Sequence, residues 1–346
     1  MGKLNHIVIN LFILFFTVIT GCLENPEKVP VQVNLSNTAK ILSYIESIGD
    51  YPNSLSAPAM ISANDLFNNL NSYVILDIRS NTDYANGHIT NSINIGNKQL
   101  YHYIDSVKII DINRQIVIVC NDGQASAYYT CLLRLAGFID IYSLKYGLAS
   151  WNVFFATNWL NAIETVGNYS NYTNVNFPKP GASALPELSI PGSMTSNKDI
   201  AVYRVKEILK EGFSQSRFAR NLNLENQDSS FNICYEIERL YIEPPLQFGA
   251  GHAYGVLWFN SEPFHEFRST KNLQNIPNKF PILIYCTDGQ LSACIAAYLR
   301  VLGYDAKFLL FGANQLFYYR MLNDPILSSY SFDLSDIMNY PYITGN

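Results

Sequence analysis

Two stretches of this chain hold residue types at a spacing that could do chemistry. The first is Cys120-Asn121-Asp122-Gly123-Gln124-Ala125-Ser126, the second Cys286-Thr287-Asp288-Gly289-Gln290-Leu291-Ser292. In each, an apolar run delivers a cysteine, five residues follow, and a serine stands where a helical pattern opens. A tight loop of this kind, with a glycine free to take positive φ, can aim successive N–H groups at one point above the sulfur. The start of a helix adds its own partial positive charge there. The chemistry this predicts is stabilisation of a thiolate or an anion, and so an acidic, nucleophilic cysteine. A buried, inert thiol is the ordinary fate of a single cysteine. Packing alone, however, would not demand that Gly-Gln and Ser accompany the cysteine twice.

The loops sit inside a longer repeat. At an offset of 166 residues, Ile116–Ala127 falls on Ile282–Ala293, Leu133-Arg134 on Leu299-Arg300, and Gly137 on Gly303. At an offset of 164, Gly87-His88 falls on Gly251-His252. Solenoid repeats run to roughly 20–50 residues, so a period this long means a duplicated domain. In the first copy Tyr73–Ile78, Ile116–Val119 and Ile141–Leu144 are short apolar runs of the kind found in strands buried on both faces. Ser62 with Asp65 predicts a helix start ahead of Leu66, and Ser126 is expected to open a helix that ends at Gly137. The expected fold is α/β: two domains, each a mostly parallel central sheet with helices on both faces. The expected boundaries are 35–165 and 196–346, with a linker over 166–195 where Asn, Ser and Pro accumulate and no period survives.

Composition narrows the function classes. With 48% hydrophobic and 15% charged residues the 346-residue chain is not disordered or a coiled coil. A formal charge of -5 without a run of basic residues argues against nucleic acid as a partner. At the start, Lys3 is followed by the apolar stretch Ile7–Phe16 and then by Ile19-Thr20-Gly21-Cys22, which predicts an export signal over 1–21. That end resembles the lipobox of bacterial lipoproteins, which implies cleavage before Cys22, its lipidation, and a tether over 22–34. Leu23 in place of Asp after the cysteine points, by the same resemblance, to the outer membrane. Five cysteines then remain, an odd number, so at least one thiol stays unpaired even in an oxidising compartment.

The repeated units resemble the rhodanese-like family. The first copy carries Tyr73-Val-Ile-Leu-Asp77-Ile-Arg79, Gly87-His88-Ile89, Cys120 with its loop, Leu132-Leu-Arg-Leu-Ala-Gly137-Phe138 and Gly147-Leu-Ala-Ser-Trp151. The second keeps Gly251-His252, Cys286 with its loop and Leu299–Tyr304, but has no recognisable Asp-x-Arg and no terminal Gly-x-x-x-Trp. The resemblance implies sulfane-sulfur transfer through a persulfide on Cys120, and on Cys286 if the second copy is active, with no cofactor and no metal. The loops depart from members that use thiosulfate, for they hold Asp122 and Asp288 and no Arg or Lys. An acid there raises the thiol pKa and repels a dianion. The expected donor is therefore neutral or a protein-borne persulfide, with donor and acceptor otherwise open. The alternative is a noncatalytic scaffold lipoprotein of an outer-membrane complex. Cysteine phosphatases need His-Cys-x5-Arg, and Val119, Tyr285, Ser126 and Ser292 occupy those places. His88 and His252 are read as structural, Cys131 and Cys294 as packing residues, and Trp151, Phe154, Phe155 and Trp159 as core.

Overall fold

The computed structural model describes residues 35–164, 172–218, 230–242, 251–261, 267–268 and 272–345. The signal-like segment, Cys22 and the tether lie outside the described residues. The first half runs α1 (Asn37–Ser47), β1 (Met60–Ile61), α2 (Ala63–Asn68), β2 (Tyr73–Asp77), α3 (Asn81–Asn86), β3 (Ile93–Asn94), α4 (Asn97–Ile110), β4 (Gln115–Val119), α5 (Gln124–Leu135), β5 (Ile141–Leu144), α6 (Leu148–Trp151) and α7 (Thr157–Glu164). Its strands pair in parallel in the order β1-β5-β4-β2-β3. Ile116, Val117 and Ile118 are fully buried on both faces of the central strand, which is why that run lacks polar alternation. Ser62 and Ser80 cap α2 and α3 by accepting from the Asp65 and Asp83 amides.

The second half runs β6 (Tyr172–Thr173), α8 (Asn197–Glu211), β7 (Arg217–Phe218), β8 (Phe231–Tyr235), α9 (Glu238–Tyr241), β9 (His252–Ala253), β10 (Leu257–Phe259), β11 (Ile282–Tyr285), α10 (Gln290–Val301), β12 (Ala306–Leu309) and α11 (Gly312–Leu322). Apart from the short antiparallel pair β6-β9, these strands form a parallel sheet in the order β7-β12-β11-β8-β10. Strand for strand, that is the order of the first sheet. Among the described residues no helix is long and apolar enough to cross a membrane.

Two expectations change. Helix α5 starts at Gln124, because Gly123 at φ 86° already turns the chain into the helix, so Ser126 sits in the first turn; Gly137, at φ 104°, follows its end as expected. The larger change concerns the boundaries. One core takes Ile116, Tyr128 and Leu132 from the first half together with Ile282, Ile295 and Tyr298 from the second. Helices α5 and α10 pack against each other at its centre, where the Cys131 thiol donates to the Cys294 carbonyl at 3.1 Å. The described part of the linker is tied down: Thr38 Oγ1 donates to the Pro186 carbonyl, and the Asn37, Asn275 and Asn278 amides donate to the carbonyls of Leu188, Pro180 and Ala184. Side chains thereby satisfy backbone groups that have no ladder to join.

The chain ends also cross over. Near the N-terminus, the Asn53 amide donates to the Phe267 carbonyl of the second half, and the Asn53 carbonyl accepts from Arg268. At the C-terminus, Met338 and Tyr340 donate backbone N–H groups to Ser150 and Trp151, and Ile343 bridges His88. Tyr340 stacks on Phe67 with ring centroids 3.9 Å apart. Residues 196–346 are thus not a self-contained second domain; they share a core with the first half, and their last, non-helical segment lies against α6 and Phe67 of α2.

Candidate functional site

Strand β4 ends at the bottom of the first loop and hands Cys120 to it. The Cys120 sulfur accepts from Gly123 N at 3.2 Å and Ser126 N at 3.4 Å, and its thiol donates to Ser126 Oγ at 3.4 Å. Strand β11 does the same for Cys286, whose sulfur meets Gly289 N at 3.2 Å, Ser292 N at 3.3 Å and Ser292 Oγ at 3.3 Å. The predicted loop residues therefore gather about one sulfur in each half. Asp122 and Asp288 turn inward: each Oδ1 accepts the backbone N–H of the following Gln and lies 3.8 and 3.7 Å from its cysteine sulfur. Ala125 and Leu291 lean on the common core.

The expectation of an acidic thiol is overturned by burial. Desolvation, then the Asp122 charge, push the Cys120 thiol up to about 12, against a smaller lowering by Ser126. Cys286 is raised well above the usual thiol range by burial first and then by two acids, Asp288 and Glu236. The opposing effect of the loop acids thus holds in both halves, while the helix-end effect is outweighed. The carboxyl of Glu236 follows β8 and accepts from the Thr287 amide and hydroxyl at 3.1 and 3.0 Å. It lines a cavity of about 200 Å³ together with Ser261, Thr287, Asp288 and the apolar Ala57, Pro58 and Leu291.

A second segment closes over each loop. Gly147, at φ 60°, approaches the first so closely that a Cβ there would lie 2.5 Å from the Cys120 carbonyl oxygen and the Gly123 nitrogen. Leu148 N and Ala149 N then donate to the carbonyls of Cys120 and Asn121 at 2.9 and 3.1 Å. In the second half Gly312, at φ 53°, takes this place, and Ala313 N and Asn314 N donate to the carbonyls of Cys286 and Thr287 at 2.8 and 3.0 Å. The frame that sequence comparison marks as missing is present; Phe311-Gly312 is the structural counterpart of Tyr146-Gly147. Tyr146 and Phe311 both stand at φ 59°, a region that L side chains rarely occupy.

The strand-end ion pair does differ between halves. Arg79 grips Asp77 through Nη2 at 2.7 Å and donates to the Gly87 carbonyl at 2.6 Å, with its guanidinium over the Phe155 ring. Arg320, on α11, supplies the second half with a guanidinium that bonds the carbonyls of Gly251 and Leu240 and lies over Phe317. His88 and His252 are held alike. Their Nδ1 atoms pair with the Tyr84 and Tyr241 carbonyls at 2.8 and 2.7 Å, and their rings stack on those tyrosines. Burial lowers His252 to about 4, which keeps it neutral. Cys131, Cys234 and Cys294 are buried and unpaired. Trp151 and Trp159 are core, whereas Phe154 is 55% exposed, a correction to the aromatic stripe.

Residues 62–153, which span α2 through α6 and include the Cys120 loop, match the rhodanese-like domain family model. The thiosulfate sulfurtransferase GlpE of Shewanella oneidensis is 37% identical over 78 residues, 22% of this chain and 74% of that protein. The chain belongs to the rhodanese-like family. The GlpE of Pseudomonas fluorescens strain SBW25 is 32% identical over a segment covering 22% of this rhodanese-like chain and 69% of its own. A rhodanese-related protein from Thermoplasma volcanium aligns at 27% identity over 27% of this chain and 88% of its own, with a TM-score of 0.23.

Proposed function

We propose that this rhodanese-like protein carries sulfane sulfur as a persulfide on Cys120. The observation that carries the reading is the pair of backbone donors, Gly123 N and Ser126 N, within 3.4 Å of the sulfur, which suit a thiolate or a persulfide anion. In the step itself, the Cys120 thiolate attacks the outer sulfur of R–S–SH and the S–S bond breaks. The bonding pair leaves on R–S⁻, which takes up the proton Cys120 gave up. An acceptor nucleophile then removes the outer sulfur and leaves the Cys120 thiolate. Asp122 disfavours thiosulfate, a dianion, so the donor is a neutral or protein-borne persulfide. Cys120 ranks above Cys286 because one acid faces it where two face Cys286.

The reading is tested by peptide-resolved mass spectrometry after exposure to polysulfide and, separately, to thiosulfate. A 32-dalton gain on Cys120, greater with polysulfide and abolished in Cys120→Ser, is expected, with 32 being about one sulfur atom. The burial of both sulfurs favours a second reading, a noncatalytic scaffold, and no gain on either loop cysteine with any donor would select it. We further propose that lipid on Cys22 anchors the protein to the outer membrane and presents it to a complex there. Loss of acyl label in Cys22→Ala is expected, and equal label on both proteins would overturn the anchor.

A further inference from the structure

Each cysteine loop is braced by a side chain from the other half. Gln290, fully buried at the start of α10, accepts the Tyr146 N–H at 2.9 Å through Oε1, while its amide donates to Asp288 at 2.6 Å. Gln124, fully buried at the start of α5, accepts the Phe311 N–H at 2.7 Å in the mirror arrangement. These are the residues next to the two glycines that close over the loops. Both of these aromatics sit at φ 59°, a conformation that L side chains rarely adopt and that persists only where its surroundings over-determine it. Aromatic packing adds to the brace from both halves, since Tyr146 and Trp159 meet Phe332, and Trp159 meets Phe311. Around Cys120, the piece that fixes Tyr146-Gly147 is thus supplied by a residue 144 positions further along the chain.

We propose that Gln290 is a positioning residue for the Cys120 site and Gln124 the reciprocal one for Cys286, so that each sulfur site is built from both halves. This deepens the persulfide reading of Cys120 and rests on it for its functional meaning, though the brace itself is tested without sulfur transfer. It also accounts for the recurrence of Gly-Gln in both loops: each glutamine oxygen accepts from the segment that closes over the other cysteine.

The test uses the full chain with Gln290→Met, which keeps the volume and removes the acceptor. Alkylation of each cysteine by a small haloacetamide is followed by peptide mapping at pH 8. Freeing Tyr146 N–H lets the Gly147 segment lift, and Cys120 should react on the order of tenfold faster, the effect of one lost buried hydrogen bond. Cys131 and Cys294, buried in the α5-α10 contact, should react as in the parent. Unchanged alkylation of Cys120 overturns the proposal. Equal acceleration of all three also overturns it, because that is general loosening rather than positioning. Gln124→Met should accelerate Cys286 and Gln124→Glu should restore it, since Gln124 Nε2 makes no hydrogen bond and the glutamate retains an acceptor oxygen. Absence of persulfide on parent Cys120 would sink the sulfur-carrier reading while leaving this alkylation result to stand or fall by itself.

Discussion

In the first half, the arginine that holds the Gly87 carbonyl comes from just past β2, two residues beyond its partner Asp77; in the second, the guanidinium that holds the matching Gly251 carbonyl arrives from α11, far along the chain. The first arrangement is a buried ion pair with both side chains almost wholly out of water. In the second, Arg320 bonds two backbone carbonyls, and the strand-end position level with Arg79 holds Glu236, which turns to Thr287 instead. The same loop geometry is thus reached with different charges beside it. Backbone approach, set by Gly147 and Gly312, defines the cradle, while the neighbouring ionisable groups set how readily its thiol ionises.

The largest way to break this comparison is at the two arginines. Arg79→Ala leaves the Asp77 carboxyl, 1% exposed, without its principal partner, and breaking a buried pair in this way costs about 3–5 kcal/mol. Arg320→Ala removes two hydrogen bonds to carbonyls, for about 1–3 kcal/mol. Urea unfolding of the full chain should show the first variant clearly weaker. Equal losses would mean that Arg320 also neutralises a charge that matters as much as Asp77.

Next come the closing glycines. Gly147→Ala and Gly312→Ala each place a methyl group on the loop backbone at positive φ, and each should lose about 2 kcal/mol or more. The expected equality is the point, because it would establish Phe311-Gly312 as a working equivalent of Tyr146-Gly147. A loss confined to Gly147→Ala, seen in the same unfolding measurement, would return the second half to the status of an eroded copy.

That equivalence was within reach of the sequence. Shifting the repeat by 165 residues rather than 166 lays Tyr146-Gly147 on Phe311-Gly312, each following a strand. Only the terminal tryptophan is missing, with Leu316 in the place of Trp151. The strands, the Ser caps and both cysteine loops are legible because each is set by local pattern: an apolar run, a capping side chain, a glycine at positive φ. Arg320 and the glutamine braces are not legible, because their partners are backbone groups, which any sequence supplies, at distances along the chain that only packing decides. The same holds for the tail over the first half, where Tyr340 finds Phe67 by ring stacking. The acidity of the thiols is not legible for a related reason. Loop geometry, which favours the thiolate, is local, whereas burial depends on how the surrounding elements pack.

The smallest and sharpest test concerns that burial. With Cys120 pushed up to about 12, little thiolate is present near neutrality, so its alkylation rate should climb about tenfold per pH unit from pH 7 to 10 with no plateau. The stability sign follows from the same shift. The folded thiol keeps its proton above its ordinary value of 9.0, so its contribution is intact below that pH and is lost as pH rises towards 12. Asp122→Asn preserves the oxygen that accepts Gln124 N–H and deletes the charge 3.8 Å from the sulfur. At pH 8 this should speed Cys120 by up to about tenfold, one pKa unit or about 1.4 kcal/mol. Asp288→Asn should speed Cys286 by a similar factor but leave it the slower thiol, because the two raising charges add and Glu236 remains beside it. Glu236→Gln should then speed Cys286 further; no gain from it would show that Glu236 is uncharged where it sits, in keeping with the upward push that burial gives its carboxyl, and the ranking of Cys120 over Cys286 would then rest on exposure alone.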